Sequence, residues 1–175
     1  MTDPVLPIID AVREAVARVF DPDQPIPPLI GGTTRIRLFG GDAPPLAAWD
    51  SHLASLPGDG CSEPFVWLRP KARYTSETFP SPSITASECG GIRVLPIEIG
   101  VGWCAVVDQQ PSWDDYEAEA FKSLDTSYRL EVAVCHVARQ MQLGPDPRLV
   151  SSDTLLPYGP EGGVIAWLGT VYVSF

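Results

Sequence analysis

Two apolar periods run along the chain, one of three to four residues and one of two, and together they divide it into elements. Val5, Ile8, Ile9, Val12, Val16 and Val19 recur at steps of three and four, while Asp10, Arg13, Glu14 and Arg18 take the other side. That spacing predicts an amphipathic helix. Asp3 before Pro4 offers its start, an N-cap followed by proline, with Pro7 able to delay it. The longest helical stretch is residues 111–143. Pro111-Ser112 breaks the preceding strand, Ser112 and Asp115 form a capping box, and no breaker follows until Gly144-Pro145. Its first half is acidic, with Asp114, Asp115, Glu117, Glu119 and Asp125 against Lys122. Its second half is apolar nearly all round, through Leu130, Val132, Val134, Cys135, Val137 and Met141. Such a helix has one end in the core and one end showing.

The period of two predicts strands. Residues 33–39 alternate Thr34, Ile36 and Leu38 against Thr33, Arg35 and Arg37. Residues 65–75 place Arg69, Lys71 and Arg73 opposite Val66, Leu68, Ala72 and Tyr74, with Pro70 marking an edge or bulge. Residues 93–107 give the strongest strand, and residues 164–175 give a β-rich closing one. Leu46, Trp49, Leu53 and Leu56 suggest a short helix behind Pro44-Pro45.

The predicted order is helix, strand, short helix, strand, strand, long helix, strand. The economical fold is α+β: a mostly antiparallel four-stranded sheet with the N-terminal and long helices packed on one face. Residues 1–175 are expected to form one domain, with proline-rich connections at 21–32 and 144–163 and a long loop at 75–91.

Composition then narrows the function. Asp and Glu number 22 against 12 Lys and Arg, a net charge of −10, so a general nucleic-acid binder is not expected. No apolar run reaches the 18 or more residues a membrane span requires. No secretory signal is read at the start, and the expected setting is a cytoplasm. Cys61, Cys89, Cys104 and Cys135 show no metal-ligand spacing. Cys61 and Cys104 would face each other if residues 65–106 formed one hairpin, but a reducing pool favours free thiols. Cys104 and Cys135 read as small apolar fillers.

Candidate chemistry is sparse. Gly100 to Ala105 match G-x-G-x-x-A, yet the strand continues through them, so glycines admitting a close neighbour are expected and no cofactor is. His136 beside Cys135 cannot face it on a helix, and His52 follows Asp50 without a nucleophile at defined spacing. The acids opening the long helix suit its dipole and need no metal. No catalytic residue is assigned, and an enzyme is not expected. A small thiol-dependent or hydrolytic enzyme is the remote alternative. The charged residues are more informative. Arg35, Arg37, Arg69, Lys71 and Arg73 alternate outward on two strands, against the acidic head Asp114, Asp115, Glu117 and Glu119. These nine residues are the candidates for contact between copies of the chain.

Five stretches carry a family resemblance: V-L-P-I-I-D-A-V-R-E-A-V-A-R-V-F at the start, C-S-E-P-F-V-W-L-R, I-E-I-G-V-G-W-C-A-V-V-D, P-S-W-D-D-Y-E-A-E-A, and the final P-Y-G-P-E-G-G-V-I-A-W-L-G-T-V-Y-V-S-F. With them the chain resembles tail terminator proteins of long-tailed bacteriophages that infect actinobacteria. The resemblance implies a virion protein, assembled in the host cytoplasm, that forms a six-fold ring on the tail tube. Such a ring stops tube polymerisation and joins the tail to the head connector. Implied partners are further copies of the chain, the tail tube protein and the head-to-tail stopper, with DNA passing through unbound. A stopper or other neck ring is the alternative.

Overall fold

Two long strands form the spine of the structure. The computed structural model describes residues 3–44, 46–58, 60–83, 90–106 and 110–175. In chain order the elements are α1 (Leu6–Val19), β1 (Ile36–Leu38), α2 (Leu46–Ala54), β2 (Phe65–Pro70), β3 (Tyr74–Ser76) and β4 (Ile92–Cys104). There follow α3 (Trp113–Leu143), β5 (Val150–Ser152), β6 (Leu156–Glu161) and β7 (Val164–Ser174). β4 and β7 pair antiparallel from Val94 opposite Ser174 to Cys104 opposite Val164. Each carries two shorter strands end to end along its free side: β2 and β3 on β4, β6 and β5 on β7. β1 closes the β2 edge as a parallel neighbour.

The expected four-stranded, mostly antiparallel sheet is therefore corrected to a seven-stranded mixed sheet, and the element order gains three strands. The predicted strand 65–75 is split, with β2 ending at Pro70 and β3 taking its last two residues and the start of the predicted 75–91 loop, and β5 and β6 lie inside the predicted 144–163 connection. β3 and β5 are three residues each, too short to show a period. β6 carries Pro157, Gly159 and Pro160, residues that end an interior strand but are tolerated at an edge, where one row of backbone donors needs no partner. Cys89, part of the 75–91 loop and Val107 lie outside the described residues.

One sheet face holds the main core. Val66, Leu68, Ile97, Ile99, Val101 and Trp103 pack there with Val171 and Val173 under α1 and the C-terminal half of α3. Val12, Val16, Leu130, Ala133 and Val137 come from the helices and have no exposed surface. Each fully buried valine or leucine stabilises the fold by roughly 1.5–3 kcal/mol. The other face is also covered. Phe65 and Trp67 are buried there, beside Ala166 and under Trp49 of α2. β2 is thus apolar on both sides, which the simple inward–outward alternation of an exposed sheet does not anticipate.

Candidate functional site

α3 begins with the capping box expected of it. Ser112 Oγ accepts from the Asp115 amide at 3.2 Å, and Asp115 Oδ2 accepts from the Ser112 amide at 2.9 Å. The Ser112 hydroxyl also donates to that carboxylate, and these bonds hold Asp115 below the usual aspartate pKa. From this start the helix meets the domain along a single line. Glu119 Oε2 accepts from the Val106 amide at 2.6 Å. One turn on, Ser123 Oγ accepts from the Trp167 indole at 2.8 Å. Thr126, Leu130, Ala133 and Val137 then carry the same face into the core.

The opposite face of that first half is bare and apolar. Trp113, Tyr116, Phe121, Leu124 and Tyr128 are between 47% and 87% exposed. Their spacing is 3, 8, 11 and 15 residues from Trp113, one stripe along a helix. Trp113 and Tyr116 pack ring on ring at 6.2 Å. Asp114 and Glu117 are exposed within the same turns, and Glu131 is exposed just beyond them. The acidity of this half is legible in the sequence; the aromatic stripe running through it is masked there by the interleaved carboxylates. Cys135 is corrected as well: it is a free thiol but not a core filler, being exposed because the core side of the helix lies at Ala133 and Val137.

Arg129 fixes how α3 stands. It is almost fully buried, at 8% exposure. Its Nε donates to Asp125 Oδ2 at 2.9 Å, Nη1 to the Val19 carbonyl at 3.1 Å, and Nη2 to the Ile26 carbonyl at 3.0 Å. Val19 ends α1, so the guanidinium also sits where that helix's dipole favours a cation. Asp125 Oδ2 in turn accepts from the Leu29 amide at 3.0 Å. One ion pair therefore ties α3 to the end of α1 and to the proline-rich segment 21–32. The only sequence signal for it was a cation four residues after an acid.

The five predicted cations do not gather into one basic face. Arg35 Nε donates to Glu63 at 2.7 Å, and that hydrogen bond holds the Glu63 carboxyl below its ordinary value. Arg69 Nε donates to Glu98 Oε1 at 3.0 Å. Burial pushes the Glu98 carboxyl up, but the hydrogen bonds from Arg69 and Trp67 and the Arg69 charge leave it lowered. Arg73 pairs with Asp3 beneath the start of α1. Arg37 and Lys71 are exposed, on β1 and just after β2. Of the four acidic candidates, Asp115 caps the helix and Glu119 anchors it, while Asp114 and Glu117 face outward.

Between α2 and the β6–β7 turn, the second sheet face opens into a cavity of about 670 Å³. Phe65 is the hub of its wall, with Trp67 at 5.6 Å, Trp49 at 5.9 Å edge-on and His52 at 5.2 Å. Gly100 admits this wall. A Cβ there would lie 2.1 Å from two indole carbons of Trp67, so the glycine serves close packing, as the sequence suggested. Cys61 and Cys104 form a disulfide, with Cα atoms 5.6 Å apart, joining the loop after α2 to the end of β4. The expectation of free thiols is corrected here. No group of three or more His, Cys, Asp or Glu residues that could hold a metal is found among the described residues. No protein-family model matches the chain, and no curated protein matches it in sequence.

Proposed function

We propose that the chain is a structural ring subunit of the phage tail terminator class, closing the head-proximal end of a tail tube and joining it to the head connector. The phage assignment rests on the sequence resemblance. The observation that carries the assembly role is the exposed stripe on the first half of α3. An aromatic residue can bury about 150–250 Å², so the five side chains offer on the order of 600 Å². A standard interface takes about 800 Å² per partner. The occupant is a second copy of the chain. Asp114, Glu117 and Glu131 border the stripe, and the same chain exposes Arg37 and Lys71 at the far edge of its sheet. Unlike surfaces on one subunit suit a head-to-tail contact, the kind that closes into a ring. The net charge of −10 fits a lumen through which DNA slides without adhering, since like charge removes the counterion-release gain.

The test is mass measurement and negative-stain imaging of the purified protein, alone and with tail-tube protein. A ring seated on tube ends is the expected result. A monomer in both conditions would refute the proposal, and a ring that captures a head-side connector but not tubes would favour a stopper.

A further inference from the structure

The geometry points to a second binding site, the cavity between α2 and the β6–β7 turn, built to take an arginine or lysine side chain presented by another polypeptide. It lies on the sheet face opposite α1 and α3, and it stands whether or not the chain forms a ring.

Its wall is aromatic. Trp49, Phe65 and Trp67 line one side, and Tyr158 of β6 the other. Its lips are acidic. Asp50 on α2, Glu161 at the end of β6 and Asp42 all line the opening and are exposed. Among the described residues the single cation in the lining is Arg69, which is already committed to Glu98 and to the Gly41 carbonyl at 3.2 Å. The cavity therefore holds a surplus of negative charge over π faces. That combination attracts a guanidinium or ammonium group twice, through the carboxylates and through the negative faces of the rings. An acidic peptide would be repelled, and a purely apolar one would leave the lip carboxylates partly desolvated without a partner.

The arrangement is held rigidly enough to act as a preformed site. Trp67 lies against Gly100, its indole N–H donating to Glu98 at 3.2 Å. Arg69 ties the same Glu98 to the loop that carries Asp42. On the far side Tyr158 donates to Glu161, and the Cys61–Cys104 disulfide braces the end of β4.

The test is a titration of the full chain with the capped tripeptide Gly-Arg-Gly, followed by amide and indole NMR shifts, with the Gly-citrulline-Gly and Gly-Glu-Gly peptides alongside. Saturable shifts at Gly102, Gly162 and the Trp49 and Trp67 indoles are expected for the arginine peptide. Binding roughly tenfold weaker or worse is expected for citrulline, which keeps the shape but lacks the charge. Asp50→Asn combined with Glu161→Gln, both exposed and the glutamine still able to accept from Tyr158, should weaken arginine binding by about tenfold at an unchanged melting temperature. Equal binding of arginine and citrulline peptides would overturn the inference. So would shifts confined to other surfaces, no saturable shift at all, or a carboxylate double variant that binds like the parent.

Discussion

Replacing Arg129 with methionine keeps the length and apolar stem of the side chain but removes its three hydrogen bonds. The Val19 and Ile26 carbonyls lose their partners, and Asp125 is left without its cation. A buried acceptor deprived of its partner costs about 1–3 kcal/mol, and breaking a buried ion pair from one side about 3–5 kcal/mol. Asp125 retains the Leu29 amide and 19% side-chain exposure, and Ile26 is 76% exposed, so water relieves part of the cost at both and the buried Val19 carbonyl bears its cost in full. The expected loss is about 4 kcal/mol, a large share of the ~5–15 kcal/mol that holds a domain together. At about 2–4 °C per kcal/mol for a chain of this size, the melting temperature should fall by roughly 8–16 °C. Urea unfolding followed by far-ultraviolet circular dichroism measures the change, with Arg139→Met, an exposed arginine on the same helix, as control within about 0.5 kcal/mol. A loss below about 1 kcal/mol for Arg129→Met would show that the three bonds do not anchor α3.

Three further outcomes follow from the packing and the charges. Gly100→Ala should destabilise the protein by about 1–3 kcal/mol through its clash with Trp67, and the penalty should nearly vanish in a Trp67→Leu background, as a double-mutant cycle in unfolding free energy would show. Reducing Cys61–Cys104 opens a link across 43 residues, for which the chain-entropy relation gives about 4 kcal/mol, and dithiothreitol should lower the measured stability by about 2–4 kcal/mol. The folded pKa values of Glu63 and Glu98 both lie below the ordinary 4.5. Their contribution is therefore complete above that value and is lost as pH falls through the depressed folded values. Glu98→Gln should flatten the acid limb of stability against pH, and an unchanged slope would contradict the Arg69–Glu98 reading.

What the sequence revealed and what it concealed divide along physical lines. α1, β4, α3 and β7 are long enough for their periods to stand out, and Ser112 with Asp115 marks the start of α3 by local chemistry alone. β3 pairs the part of β4 that the shorter β2 leaves open, and β5 and β6 pair the edge of β7 that faces away from β4; nothing within their own residues demands a strand. The alternation of Arg69, Lys71 and Arg73 suggested a continuous basic face, but β2 stops at Pro70 and Arg73 turns to Asp3. Glu63 and Glu98, the partners of Arg35 and Arg69, are 28 and 29 residues distant in sequence, so no local pattern pairs them. The aromatic wall around Phe65 likewise joins Phe39, just after β1, to α2 and β2. On α3 the missed signal was visible: Trp113, Tyr116, Phe121, Leu124 and Tyr128 share a helical stripe, masked by the carboxylates interleaved with them.

The claim that copies of the chain meet through α3 is tested most directly by sedimentation equilibrium of the parent and of a Phe121→Glu, Tyr128→Glu variant. Both positions are more than half exposed, so the variant should keep its melting temperature. The parent should sediment as a closed oligomer and the variant as a monomer. A monomeric parent at high concentration, or a variant that assembles as the parent does, would contradict the claim.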